Sequence, residues 1–269
     1  MSPLEQSIKH KIENKGTPLK EWNINIYRGI LTGCNEAFII TGDVKDTLIA
    51  EDPKSAEIIR PILRGKDIKR FKAKFADLWL ITSHNGNKAY GIKRVDIGDY
   101  PAVKQHLDKY LEKIEKRDDQ GDTPYNLRNC AYMDDFSKPK IVWGNLCLSS
   151  QFAYASEGIY INAPATMIVP GDKYILAILN SKIGDWYIRQ LGVTRNGGYF
   201  EYKPMFVEKL PVPVLSEAEK KPFIAYVDKL LDGNSNESIN LEEIEIKLNN
   251  LIYDLYKISN EEKAFIEKH

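Results

Sequence analysis

The sequence predicts an α+β fold, in which a mixed, sheet-rich body from residue 22 to 214 is followed by a helical segment from 215 to 269. Two observations predict this class. Short apolar runs bounded by glycine and proline recur through the body, and such runs are typical of strands. Beyond Pro211 and Pro213 the pattern changes to helical spacing, with three helix start signals.

Residues 1–21 form a third part of the chain, predicted as an N-terminal arm or linker. They are polar and helix-permissive, and Ile8 and Ile12 lie one helical turn apart. Gly16 and Pro18 then end the pattern. We therefore expect a short helix that leads into the body.

Residues 22–42 predict two strands around a glycine-containing turn. Gly33 is placed in the turn before a strand over residues 37–41. Gly29 and Gly33 also raise the question of a phosphate-binding loop. Neither GxxxxGK followed by Ser or Thr nor GxGxxG is present, so a nucleotide site has little support here.

Prolines signal the next elements. Asp52 has the character of a helix N-cap, with Pro53 at the first helical position. These two residues predict a helix over residues 54–59 that stops at Pro61. The apolar run LWLIT at 78–82 then predicts a buried strand.

Further elements complete the body. Pro101 begins a helix whose apolar residues recur at helical spacing, and KPKIVWGN contains a strand. The run GIYINAPATMIVP predicts two short strands interrupted by Pro164. Residues 174–191 form a helix by pattern. Asn196-Gly197 then indicates a hairpin or a plain surface turn.

The helical segment is acidic and contains its own helix start signals and a loop. Its predicted start signals and loop are, in order, a helix start at Pro222, the loop 233–236, Asn240 with Glu243, and Ser259 with Glu262. The last two pairs match the capping-box pattern.

The distribution of charge distinguishes the body from the helical segment. The chain carries 38 Lys and Arg against 38 Asp and Glu, so its net charge is zero. Residues 215–269 carry twelve acids against seven lysines, a net of −5, which leaves +5 for residues 1–214. Residues 58–75 alone carry seven Lys and Arg against one acid, a net of +6. Such a cluster needs an anionic partner or solvent to screen it.

This basic stretch, residues 58–75, is predicted to be a fixed surface. Gly65 permits a turn. Phe71, Ala73 and Phe75 alternate with lysines, which is the period-two pattern of a half-buried strand. A solvated face that happens to be basic is the alternative, and charge alone does not separate it from an anion-binding surface.

Motifs for catalysis and metal binding are absent from the sequence. It lacks an Asp/Asn/Ser-Pro-Pro-Tyr motif, a Gly-rich adenosylmethionine loop, GxSxG and HExxH. Glu201 and Lys203 have the ExK spelling of a nuclease, but we expect an ion pair on a strand because no upstream acidic partner is apparent. Cys34, Cys130 and Cys147 lack metal or disulfide spacing, which predicts a reduced, cytoplasmic chain. No stretch approaches the ~20 apolar residues of a membrane span.

A series of motifs in order resembles a known family. The segments are IYRGILTGCNEAFII, DPKSAEIIRPILRGKDIKRF, YPAVKQHLDKYLEKIEKRDDQGDTPYNL, KPKIVWGN, LAILNSKIGDWYI and FVEKLPVP. Together they resemble the TaqI-like C-terminal specificity domain, which follows adenine-specific DNA methyltransferases in type II restriction–modification enzymes. The likeness runs from about residue 26 to 256, and LEEIEIKLNNLIYDLYKIS is similar to the helical region that follows the domain.

The resemblance implies a target recognition domain that binds double-stranded DNA and is not catalytic by itself. A methyltransferase or endonuclease domain or subunit is the implied partner, and S-adenosylmethionine is expected there and not in this chain. Lys and Arg bind phosphates, whereas loop Arg and Asn residues can read base edges. The candidates for phosphate contact are Arg64, Lys66, Lys69, Arg70, Lys72 and Lys74, and those for the groove or backbone are Arg195, Asn196 and Tyr199.

Two other functions remain open from the sequence. The chain could be a protein-interaction subunit that docks a methyltransferase or nuclease, with the acidic helices as the docking surface. It could also be an enzyme whose active site follows no recognised motif. No catalytic residue and no metal ligand is assigned from the sequence.

Overall fold

The computed structural model of the chain describes residues 1–233 and 240–268. Its helices are α1 (Pro3–Lys15), α2 (Asn35–Phe38), α3 (Gly42–Glu51), α4 (Pro101–Asp108), α5 (Leu111–Ile114), α6 (Lys173–Asn180), α7 (Lys182–Leu191), α8 (Pro204–Val207), α9 (Glu217–Asp232), α10 (Leu241–Leu255) and α11 (Asn260–Lys268).

The strands mostly lie in the body. They are β1 (Thr17–Pro18), β2 (Asn25–Arg28), β3 (Ile39–Thr41), β4 (Ile59–Leu63), β5 (Leu78–Ile81), β6 (Lys140–Trp143), β7 (Leu146–Cys147), β8 (Phe152–Ala155), β9 (Tyr160–Ile161), β10 (Thr166–Val169), β11 (Thr194–Arg195), β12 (Tyr199–Glu201) and β13 (Pro211–Val212). The mixed sheets and the helical C-terminal segment confirm the predicted α+β class.

A central antiparallel sheet, in the order β2-β10-β6-β8, separates two hydrophobic cores. Successive side chains of a strand point to opposite faces of its sheet. Ile168 and Ile141 accordingly pack in one core, whereas Met167 and Val142 pack in the other. All four residues of β10 and of β6 are buried, so this sheet is covered on both faces.

The second four-stranded sheet, in the order β3-β5-β4-β9, belongs to the core formed by residues 30–169. β4 and β9 are parallel and pair Ile62 with Tyr160. The chain leaves β4 at Arg64 and enters the basic stretch, so this sheet fixes where the stretch begins.

The other core joins the two ends of the chain. Ile8 and Ile12 of α1 are fully buried there, together with residues of α6, α7 and the C-terminal helices. The rings of Tyr174 and Phe223 lie 5.2 Å apart. Hydrophobic packing therefore crosses the proposed boundaries at residues 21/22 and 214/215, and those domain boundaries stay predictions.

Several elements follow the sequence patterns closely. Pro101 begins α4, and β9 and β10 flank Pro164. The Asp52 carboxylate accepts from the backbone N–H of Lys54 at 3.2 Å, as expected of an N-cap. Two other predicted capping residues are confirmed. Asn240 accepts from the backbone N–H of Glu243 at 3.2 Å, and Ser259 accepts from the backbone N–H of Glu262 at 3.3 Å. The predicted loop 233–236 lies mostly on residues 234–236, outside the described residues.

Other elements correct the sequence predictions. The strand predicted over residues 37–41 is only β3, because α2 occupies residues 35–38. The helix predicted over 54–59 is a 3₁₀ helix, Pro53–Ile58, and Pro61 lies within β4. Helix α3 was not predicted.

Two helices start or break where the sequence patterns did not indicate. Residues 174–191 form two helices, because Ser181 caps α7 by accepting from Gly184 N–H at 3.0 Å. Helix α9 begins at Glu217 behind a Ser216 capping box, so Pro222 lies inside the helix and not at its start. A serine cap satisfies N–H groups that the helical pattern alone does not account for.

Candidate nucleic-acid interface

The basic turn, residues 64–74, is closed at its start by an ion pair between the partly exposed Arg64 and the buried Asp67. Asp67 Oδ2 accepts from the backbone N–H and Nε of Arg64 at 2.8 and 2.9 Å, and Oδ1 accepts from Nη2 at 2.8 Å. Asp67 is only 6% exposed. Burial by itself raises its pKa, but the hydrogen bonds from Arg64 hold the pKa of Asp67 below its ordinary value. The Arg64 fork therefore fixes the shape of the turn.

Phe71 anchors the middle of the basic turn. Its φ of +65° is unusual for a residue with a side chain. Its N–H donates to Phe152 O at 2.8 Å, and its carbonyl accepts from Tyr154 N–H at 3.0 Å. The period-two strand predicted for this stretch is therefore wrong, because the chain turns at Phe71, which is buried, and leaves Phe75 46% exposed.

Two more arginines of the stretch have partners within the chain. Arg60 donates to backbone carbonyls around the preceding 3₁₀ helix. Arg70 Nε lies 2.8 Å from Glu245 Oε2 of α10, and Arg70 Nη1 donates to Ser150 O at 3.4 Å. The basic turn is thereby tied to the acidic helical segment. An open groove between them is lined by the turn, Leu230 and Leu241.

The lysines of the basic turn differ from its arginines in their exposure and in their ion-pair partners. Lys66, Lys69 and Lys74 are exposed, and Lys72 is half-buried. Within residues 1–233 and 240–268, no carboxylate lies within 4.0 Å of these four ammonium groups. A fixed turn therefore presents four lysines that have no ion-pair partner among the described residues.

The sequence left a hairpin and a plain surface turn open at Asn196-Gly197, and the structure has the hairpin. Strands β11 and β12 pair antiparallel, and the turn between them contains Gly197 and Gly198, both at φ +78°. Glycine adopts this left-handed conformation without a steric penalty. Asn196 is exposed at the tip, and Tyr199 is 41% exposed.

A carboxylate fixes the base of this hairpin. Glu201 Oε1 lies 2.6 Å from Arg195 Nε and 3.0 Å from Lys203 Nζ. Contacts with Lys203 and then Arg195 lower the pKa of Glu201. Glu201 and Lys203 are thus an ion pair, as expected, and the guanidinium of Arg195 is held against the strand.

The basic turn and the hairpin flank the same loop, residues 144–150. β12 pairs with β7 inside this loop, with Glu201 opposite Leu146. At the other side, a Cβ placed on Gly65 would lie 3.8 Å from the Cα of Gly144. The structure thus places the two groups of candidate residues on either side of the loop 144–150. Leu146 and Leu148 of this loop are 51% and 53% exposed, and the sequence pattern did not single them out.

The acidic loop that follows α5 is used in ion pairs. Asp119 pairs with Arg128 at 2.8 Å, and Asp122 lies 3.6 Å from Arg94. Among residues 1–233 and 240–268, no group of three or more His, Cys, Asp and Glu side chains is placed to hold a metal ion. In the same ranges, no helix has the length and apolar character needed to cross a bilayer.

Comparisons with known proteins identify the family and the fold. The family model described as the TaqI-like C-terminal specificity domain matches residues 60–212. This match contains the basic turn, the loop 144–150 and the hairpin. No curated protein sequence matches the chain.

Two solved structures resemble the whole fold. The Type IIL restriction-modification enzyme MmeI, solved in complex with DNA, matches 94% of this chain with a TM-score of 0.70 and 14% sequence identity. The type IIG restriction endonuclease BpuSI matches 94% with a TM-score of 0.52 and 14% identity. The chain spans 36% and 32% of those two chains, about a third of each.

Proposed function

The chain belongs to the TaqI-like C-terminal specificity domain family, and on that premise we propose that it recognises a specific sequence in double-stranded DNA. The observation that carries the proposal is the family match, since residues 60–212 include the basic turn, the loop 144–150 and the hairpin. The similar enzyme MmeI was solved in complex with DNA, which is in keeping with the proposal.

The contacts divide into two kinds. Lys66, Lys69, Lys72 and Lys74 supply phosphate contacts that hold the duplex but carry no sequence information. Asn196 and Tyr199, on the exposed hairpin, contact the groove or the backbone, and a loop Asn can accept from and donate to the edge of adenine. The ion pairs of Arg64 and Arg195 keep these elements rigid, which reduces the ordering cost of binding.

Catalysis belongs to another part of the enzyme in this proposal. An adenine-specific methyltransferase or endonuclease domain of a type II restriction–modification system supplies it, together with S-adenosylmethionine. The chain selects the DNA site and acts in the cytoplasm. Incubation of the purified chain with duplex DNA, Mg²⁺ and labelled adenosylmethionine should give neither cleavage nor label transfer, and either product would overturn the non-catalytic role.

A selection experiment tests the recognition itself. The purified chain is incubated with a pool of randomised duplexes, bound DNA is recovered through several rounds, and the recovered molecules are sequenced. Enrichment of one short sequence is the expected result. Recovery without enrichment, or no recovery above a bead control, would overturn the proposal.

A further inference from the structure

A second basic hairpin, residues 84–95, projects from the body and was not predicted as an element from the sequence. Asn87 N–H donates to Ile92 O at 2.8 Å, and Ile92 N–H donates to Asn87 O at 2.9 Å. A single 3₁₀ turn over Lys88–Tyr90 and Gly91, at φ +68°, form the tip. The carbonyl of His84 accepts from Val95 N–H at 3.1 Å and closes the base.

The base of this hairpin is held firmly by amide side chains. Asn126, 1% exposed, donates from Nδ2 to Val95 O at 2.9 Å. Asn85 Nδ2 donates to Asp122 Oδ1 at 3.0 Å and to Asn129 Oδ1 at 2.7 Å. These amide groups are engaged in holding the loops together, so Asn85 and Asn126 are structural residues and not readers of DNA.

At the tip, Asn87 Oδ1 accepts from the backbone N–H of Ala89 at 3.1 Å, and the outer side chains are exposed. Tyr90 is 74% exposed, and Lys88 and Lys93 are exposed. Across residues 1–233 and 240–268, no carboxylate lies within 4.0 Å of either ammonium group. The hairpin thus presents an exposed tyrosine ring together with two exposed lysines, a combination suited to phosphate binding and to contact with a wet interface.

The hairpin is joined to the first interface by a continuous chain of contacts. Leu63, which precedes the basic turn, accepts from Asn162 N–H at 2.9 Å, and Asn162 bridges to Ile30. A cleft next to Ile30 is lined by Leu31 and Cys130. Cys130 also lines the cleft beneath the hairpin. Leu63, Asn162 and Ile30 are buried, so these contacts join the two elements through the interior of one folded body.

We infer that the hairpin 84–95 is a second DNA-contacting element, which holds the duplex outside the footprint of the basic turn. Lys88 and Lys93 bind phosphates, and the ring of Tyr90 lies against the sugar–phosphate backbone. The inference rests on the proposed function, because it takes double-stranded DNA as the partner.

Two variants of the full chain test the inference. Lys88→Gln with Lys93→Gln should weaken binding to a random-sequence duplex several-fold and reduce the magnitude of the salt slope by about two. Tyr90→Ala should weaken binding several-fold and leave the salt slope unchanged, since it removes no charge. Lys20→Gln with Lys221→Gln removes two exposed lysines elsewhere and should bind like wild type. Circular dichroism and thermal unfolding confirm that each variant folds.

The outcomes separate this inference from the proposed function. If wild type binds duplex and the lysines of the basic turn are needed, but the hairpin variants bind with wild-type affinity and salt slope, the hairpin is not a DNA contact. If wild type binds no duplex at any salt concentration, the proposed function fails and the inference fails with it. A loss in the Lys20 and Lys221 control equal to that of the hairpin variant would also overturn the inference, because general charge would then explain it.

Discussion

The lysines of the basic turn allow the sharpest prediction. Replacing Lys66, Lys69, Lys72 and Lys74 with Gln removes four charges and breaks none of the ion pairs of the described residues. Each phosphate contact on duplex DNA contributes about 0.9 to the salt slope, so four contacts contribute about 3.6. Between 50 and 200 mM salt, wild type should therefore lose about 150-fold more affinity than the variant.

Fluorescence anisotropy with a labelled random-sequence duplex, titrated at several salt concentrations, measures this slope. Lys20→Gln with Lys221→Gln serves as a control for charge at another site. Lys20 lies five residues before Asn25. Asn25 pairs with Val169 at one end of the central sheet, and Arg28 lies at the other end. Lys221 follows Lys220, which contacts Asp172 at that same end. The control should keep the wild-type slope.

An unchanged slope in the quadruple variant would refute the assignment of the basic turn as the phosphate-binding surface. A reduction of about two would mean that two of the four lysines contact phosphates, and single substitutions would then identify them. Either conclusion requires that the variant unfold at the same temperature as wild type. We expect this result because the four side chains are exposed or half-buried.

Three other contacts give separate predictions. Arg64→Gln leaves the buried carboxylate of Asp67 without its ion pair, so the free energy of unfolding in urea should fall by about 2 kcal/mol, below the full-burial value because Arg64 is partly exposed. Glu245→Gln releases Arg70, so duplex affinity should rise several-fold and the salt slope should steepen by about one in the anisotropy titration. Lys140 is fully buried, and burial lowers its pKa to about 8. The unfolded chain keeps this proton up to about pH 10.4. Wild type should therefore gain about 1.4 kcal/mol per pH unit over Lys140→Met between pH 8 and 10, measured by urea unfolding at each pH.

Each of these predictions has its own contradicting result. Unfolding of Arg64→Gln at the wild-type urea midpoint would contradict the structural role of that arginine. Glu243→Gln removes the same charge from an exposed pair with Lys247 on the same helix, and should leave DNA affinity unchanged. An equal rise in both glutamate variants would indicate general charge and not the release of an arginine. A stability difference between wild type and Lys140→Met that stays constant from pH 7 to 10 would contradict the lowered pKa.

Elements with local signals could be predicted from the sequence. Asp52 accepts from the backbone N–H of Lys54, and Asn240 accepts from the backbone N–H of Glu243. Each cap and its donor lie within three residues of each other, so a short stretch of sequence is enough to predict the helix start. The hairpin at Asn196-Gly197 is also local, because its turn needs residues that accept positive φ. In the hairpin 84–95 the residue of positive φ at the tip is Gly91, at φ +68°.

The conformation of the basic turn depends on distant residues and could not be predicted. Its charge is visible in the sequence, but Phe71 turns the chain because its backbone pairs with Phe152 and Tyr154 of β8, about 80 residues away. The period-two pattern was therefore misleading. It places Phe71 and Phe75 on the same face of a strand, whereas Phe71 is buried and Phe75 is 46% exposed.

The charge count also gave an incomplete description of the surface. It assigned a basic body and an acidic tail as separate parts, whereas Arg70 and Glu245, 175 residues apart, form an ion pair. Arg64 is likewise held by Asp67. The cations of the basic turn without an ion-pair partner, among the residues that the structure describes, are its lysines, and only the fold distinguishes them from the arginines.

The most direct test of sequence-specific recognition is the ratio of two dissociation constants at one salt concentration. Wild-type chain is titrated with the duplex enriched by selection and with a scrambled duplex of equal length and composition. Specific recognition predicts tighter binding to the enriched duplex, with each changed base pair costing about 1–3 kcal/mol. Equal affinity for the two duplexes would contradict it, however tightly both are bound.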